Sequence, residues 1–143
     1  MKRIIFWLLM APLAVMAQTV QPSTVPSVVL NTFKQHFPKA TGTEWEFKNN
    51  VYEAEFEIGR LDHEVWINKN GTIIKHKEEL SSKLLPTAVR EHIRNNFKGY
   101  RANDTEKLTQ GNKVFYKVEL KSLTKEQDVV FSEDGTIVEG FLW

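Results

Sequence analysis

VPSVVLNTFKQHFP (residues 25–38) and LPTAVREHIRNNFK (residues 85–98) are the same device written twice. In the first, Val25, Val29, Phe33 and Phe37 stand four residues apart; in the second, Leu85, Val89, Ile93 and Phe97 do. Steps of four keep apolar side chains near one stripe of a helix with about 3.6 residues per turn. Pro26 and Pro86 fall in the first turn, where a missing N–H leaves no hydrogen bond unmade. Pro38 closes the first helix, and Lys98-Gly99 ends the second. A shift of 60 residues superposes the two helices register for register, the mark of an internal duplication.

Strand-like sequence follows each helix. Trp45 and Phe47 alternate with Glu44, Glu46 and Lys48, and Asn49-Asn50 makes a tight turn. Tyr52, Ala54, Phe56 and Ile58 then alternate with Glu53, Glu55 and Glu57. Period two with one polar face predicts half-buried antiparallel strands. His63 to Ile67 reads as a third strand, Asn68-Lys69-Asn70-Gly71 as a turn and Thr72 to Glu78 as a fourth. The second unit repeats this with an offset of 64: Tyr52 corresponds to Tyr116, Glu55 to Glu119, Val65 to Val129 and Gly71-Thr72-Ile73 to Gly135-Thr136-Ile137. The four added residues are assigned to Tyr100–Asn112 as a longer connection, since insertions gather in loops. The fold class expected is α+β, a tandem duplication of units that each pair a helix with a four-stranded antiparallel sheet. Residues 25–78 form the first α-β-β-β-β unit, 79–84 a linker and 85–143 the second, in one integrated domain. A unit of about 60 residues has a marginal core, so the two sheets should join edge to edge or share a face.

Ahead of this lie Met1-Lys2-Arg3, the apolar run Ile4 to Leu13 and the small-residue site Ala14-Val15-Met16-Ala17. This is the pattern of a secretory signal peptide over residues 1–17, cleaved after Ala17. The apolar run is too short for a membrane span, which needs about 20 residues. The exported chain would be periplasmic or secreted, with no stable span and with a flexible leader over residues 18–24. The full 143 residues hold 41% hydrophobic, 26% charged and 11% aromatic residues, which argues against disorder. Nineteen basic against eighteen acidic residues remove the basic excess of a nucleic-acid binder. The absence of cysteine excludes disulfides and thiol chemistry.

No catalytic motif is present. There is no Gly-x-Ser-x-Gly elbow and no phosphate-cradling glycine loop. The four histidines, His36, His63, His76 and His92, form no helical pair at a spacing of four. Strands could gather His63, Glu64 and His76, but the expectation is no metal and no cofactor. The Asn68 and Ser132 turns lack the acidic spacing of a calcium loop.

His36-Phe37-Pro38-Lys39-Ala40 followed by Trp45, then Tyr52-Glu53-Ala54-Glu55-Phe56 and Asn68-Lys69-Asn70-Gly71, carry a family likeness. Phe115-Tyr116-Lys117-Val118-Glu119-Leu120 and Ser132-Glu133-Asp134-Gly135 carry it in the second unit. With them the chain resembles the PepSY-like family of exported bacterial proteins, whose fold is similar to the beta-lactamase inhibitor protein. It departs from the inhibitor in having no cysteine, and Lys98 stands where the first unit has Pro38. The resemblance implies an envelope protein that binds proteins or peptides without a cofactor.

The strands supply a candidate surface. If Tyr52, Ala54, Phe56, Val65 and Ile67 face the helix, then Glu53, Glu55, Glu57, Glu64 and Trp66 face away, a carboxylate ridge around one aromatic. Outer positions of the second unit are Lys107, Phe115, Lys117, Glu119, Lys121 and Val130. Residues 18–80 hold 7 basic and 9 acidic residues, net −2; residues 81–143 hold 10 and 9, net +1. The open face is therefore expected to run from acidic to basic. Large aromatics on a polar face are enriched at binding hot spots, so Trp66 and Phe115, with Glu53, Glu55, Glu57, Glu64, Lys117 and Lys121, are the candidate binding residues. The function expected is a non-enzymatic exported module, inhibitor-like, docking an envelope protein or peptide as a monomer or weak oligomer, with no nucleic acid as partner. A self-associating structural envelope protein is the alternative, and a metal-dependent hydrolase a remote one.

Overall fold

Proline at each helix entrance and a phenylalanine at each exit bracket two ten-residue helices, α1 (Ser27–His36) and α2 (Thr87–Asn96), in a computed structural model that describes residues 18–141 and 143. The signal-peptide assignment on residues 1–17 lies outside the described residues. Phe37 and Phe97 end the helices identically, each N–H donating to the carbonyl of Phe33 or Ile93. Val29 and Phe33 of α1, and Val89 and Ile93 of α2, are buried, as the four-residue stripe requires.

The strands are β1 (Gln18–Thr19), β2 (Thr41–Lys48), β3 (Val51–Ile58), β4 (Leu61–Asn68), β5 (Ile73–Glu79), β6 (Arg101–Gln110), β7 (Lys113–Lys121) and β8 (Glu126–Ser132). All eight form one antiparallel sheet in chain order. The two units join edge to edge through β5 and β6, with His76 opposite Thr109 and Glu78 opposite Lys107. The strands divide five and three between the units. The last strand of the second unit is reduced to one bridge, Phe131 to Ile137, while β1 adds a short edge to the first. Residues 18–24 are built into the fold: Gln18 and Thr19 pair with Phe47 and Glu46, and Pro22–Thr24 forms a 3-10 turn. Exposed main-chain groups on the edge of β2 hold what the sequence suggests is a loose leader.

The four extra residues of the second unit do not form a loop. Trp45 pairs with Ala54, and Thr105, 60 residues on, pairs with Val118, 64 residues on. The β6–β7 hairpin is therefore two residues longer on each arm, and the added length of β6 pairs with β5. Backbone polar groups next to a neighbouring strand are better satisfied in the ladder than in a loop.

Each helix covers its own unit. Val25, Val29, Phe33, Trp45, Ala54, Phe56, Val65 and Ile67 form one core cluster; Leu85, Val89, Ile93, Tyr116, Val118, Leu120, Val129 and Phe131 form the other. Phe33 meets Trp45 and Phe56 edge to face, at centroid distances of 5.1 and 4.9 Å. Between the clusters the helix-side positions of β5 and β6 are polar: His76, Glu78, Thr105, Lys107 and Thr109. The sheet is continuous, but its core is interrupted by a polar seam.

Candidate functional site

Cross-strand partners share a face, so the register sorts every candidate. One row on the helix-free face runs Glu44, Glu55, Glu64, Lys77, Leu108, Phe115 and Ser132; the next runs Glu46, Glu53, Trp66, Lys75, Gln110 and Lys113. All eight candidate binding residues lie on this face. Lys107, read as an outer position from the sequence, lies on the helix side, opposite Glu78 and Tyr116. The lengthened hairpin shifts β6 relative to the repeat and reverses its apparent alternation.

Trp66 is the centre of the first-unit cluster. Its indole N–H donates to Glu53 Oε2 at 2.8 Å, and Lys75 Nζ lies 3.7 Å above the ring. Glu53 and Glu64 interact directly and titrate as a pair. Burial, then the hydrogen bond and charge of Glu64, push Glu53 up to about 7, although the Trp66 N–H opposes the rise. Burial would raise Glu64 too, but hydrogen bonds from Glu53 and Lys77 outweigh it and hold Glu64 below the ordinary carboxylate range. Glu55 is raised by burial and by the charge of Glu64. Lys77 forms an ion pair with Glu64. Glu55 and Glu57 are exposed. A cleft of about 560 Å³ opens beside them, with Glu44, Asp62 and Glu64 on its wall.

The second-unit candidates are differently placed. Phe115 is on the open face but packs under Phe141 of the C-terminal segment, with ring centroids 4.5 Å apart. Leu108, opposite Phe115, is buried there. Lys117 reaches Glu106 at 3.3 Å and Asp128 at 3.6 Å, and Lys121 reaches Glu126 at 2.9 Å. The expected basic end is thus a set of neutralised pairs beside an apolar patch, and the cations next to the carboxylate ridge are Lys75 and Lys77 of β5. Sequence reasoning missed both lysines because β5 is polar on both faces and shows no alternation from which to read its orientation.

The polar seam gathers a second group. His63 and His76 meet through Nδ1 and Nε2 at 3.1 Å, and Glu78 Oε2 is 3.9 Å from His63 Nδ1. Glu64, grouped with these histidines in the sequence reading, is on the opposite face of the sheet. Among the described residues, no helix is long and apolar enough to cross a membrane.

The family described as "putative beta-lactamase-inhibitor-like, PepSY-like" matches this chain twice, over residues 14–75 and 50–139. Solved structures share the fold. A BLIP-like protein from Bacteroides fragilis is 25% identical, with a TM-score of 0.66 over 80% of this chain and 83% of that one. A DUF2874 family protein from Bacteroides ovatus is 19% identical, with a TM-score of 0.67 over 81% and 86%. A protein from Bacteroides eggerthii named as a "putative periplasmic" protein is 16% identical, with a TM-score of 0.68 over 80% and 86%. No relative is found among the curated proteins. With both units matched and the eight-stranded α+β sheet in common, the chain belongs to the PepSY-like, beta-lactamase-inhibitor-like family.

Proposed function

We propose that this protein is an exported, non-enzymatic binding module that docks a protein or peptide on the helix-free face of its sheet, with the first unit as the contact region. The observation that carries this reading is the pair of rows that set Glu44, Glu46, Glu53, Glu55 and Glu64 around Trp66 on an uncovered surface. Glu55 and Glu57 make no ion pair and are exposed, so they are free to meet lysine or arginine side chains of a partner. Trp66 adds a flat apolar surface already fixed by Glu53 and Lys75, which lowers the entropy lost on binding. The BLIP-like and periplasmic relatives support a binding role in the envelope, and the pattern of residues 1–17 supports export with cleavage after Ala17. Carboxylates spaced along an open strand lack the enclosure that tunes an acid–base pair, which favours binding over catalysis.

Chemical crosslinking in envelope extract, comparing wild type with Glu55→Lys plus Glu57→Lys, tests the reading. Both side chains are exposed, so the variant should fold normally. The partners captured by wild type should be lost or depleted in the variant and weakened by salt. Identical partner profiles at equal expression would sink the assignment to this face.

A further inference from the structure

The polar seam on the opposite face holds a group that the docking reading does not use. His63 stands directly across from Glu78 on neighbouring strands, and His76 stands across from Val65, one diagonal step away on the same face. Directly opposed side chains have Cβ atoms about 5 Å apart and diagonal ones about 7–8 Å, so two imidazoles and a carboxylate converge by register alone. One candidate ligand atom from each residue lies within 4.8 Å of the others.

We propose that His63, His76 and Glu78 bind a divalent first-row transition ion, with Zn²⁺ as the reference ion. The donor set of two imidazole nitrogens and one carboxylate oxygen suits such an ion, whereas Ca²⁺ and Mg²⁺ prefer oxygen donors throughout. Two donors each about 2.1 Å from a common ion, at the tetrahedral angle, stand about 3.4 Å apart. The nitrogens are 3.1 Å apart, and Glu78 Oε2 is 3.9 Å from His63. Nearly parallel ring planes with centroids 5.4 Å apart show that the nitrogens now meet head-on through a shared hydrogen. Ion binding replaces that hydrogen bond: each ring tilts, Glu78 closes by about half an ångström, and the proton shared between the imidazoles moves to an outer ring nitrogen.

The surroundings preorganise the group. Phe56 lies nearly parallel to the His63 ring at 5.2 Å, and Phe37 packs on His76 at 4.9 Å. Lys107 Nζ holds Glu78 Oε1 at 2.9 Å and leaves Oε2 toward the imidazoles, the outer-shell orientation that metal-binding carboxylates commonly have. Burial lowers the proton affinity of both histidines, His76 to about 4, so both rings are neutral and able to ligate at pH 7. Clefts reach the group from two sides, one lined by His63 and the other by His76. The device belongs to the first unit alone, since Gln127 occupies the position that corresponds to His63.

Titration of the untagged protein, residues 18–143, with ZnCl₂ by calorimetry tests this. One ion per chain should bind, and Zn²⁺ at 100 times its Kd should raise Tm by about 5–10 °C. His76→Phe, which keeps the packing against Phe37, should weaken binding at least ~100-fold, while His36→Asn plus His92→Asn should leave it unchanged. Because a core variant can fail to fold, ¹⁵N shifts of the wild-type imidazoles give a second readout: Zn²⁺ should move His63 Nδ1 and His76 Nε2 and leave His36 and His92 in place. Absence of saturable binding, binding that survives His76→Phe, or shifts confined to His36 and His92 would each overturn the assignment.

Discussion

Glu53 shows how one residue couples the candidate surface to stability. Its neighbours keep the carboxyl protonated in the folded protein up to a pH of about 7, against 4.5 for an unperturbed group. Below the lower value both the folded and the unfolded chain carry the proton, and Glu53 makes no difference. Between the two values the unfolded chain releases its proton first, so stability falls as pH rises, and the deficit stays constant above 7. Glu53→Gln keeps an acceptor for the Trp66 N–H and removes the titration. Thermal unfolding should show the variant equal to wild type near pH 4 and more stable at pH 8, by about 1 kcal/mol once the solvent screening of a half-exposed group is allowed for. Equal Tm differences at both pH values would contradict this. At the same scale, Trp66 differs from a freely exposed aromatic because both its N–H and one ring face are already occupied.

At the scale of elements, the recurring Gly-Thr-Ile turn docks each unit's sheet against its helix. Gly71 has φ +82° and Gly135 φ +84°, and a Cβ would stand 2.8 Å from Val28 Cγ2 in the first and from the Ala88 carbonyl oxygen in the second. Val28 and Ala88 are themselves 60 residues apart in the repeat, so the contact was duplicated with the units. Thr32 Oγ1 also donates to the Gly71 carbonyl at 2.9 Å. Urea unfolding should show Gly71→Ala and Gly135→Ala destabilised by about 2–4 kcal/mol, from a left-handed backbone cost of about 1–2 kcal/mol plus overpacking. Gly99 has φ +84° but open space around it, so Gly99→Ala should lose only the backbone part, about 1–2 kcal/mol. Equal losses at Gly71 and Gly99 would show that helix contact contributes nothing.

For the whole molecule, the β5–β6 ladder makes two marginal cores into one sheet. Each helix stabilises its own cluster, but Lys107–Glu78 and five paired positions tie the strands across the seam. Hydrogen exchange should therefore find β3, β5, β6 and β7 opening together at the global unfolding free energy. A populated state with β2–β4 protected and β6–β8 exchanged would show instead that the units unfold separately.

Both helices, the Asn49-Asn50 turn and the apolar side of β3 and β4 were legible in sequence, because each depends on local spacing: four for a buried helical stripe, two for a half-buried strand, positive φ for a tight turn. So was the duplication, since identical local rules left identical patterns 60 and 64 residues apart. The carboxylate ridge followed from the same alternation. The longer β6–β7 hairpin, the side on which Lys107 lies, the cover that Phe141 places over Phe115 and the meeting of His63 with His76 and Glu78 were decided only by tertiary structure. Each depends on which residues face one another across strands distant in sequence, and a polar strand such as β5 carries no periodic signal from which that register can be read.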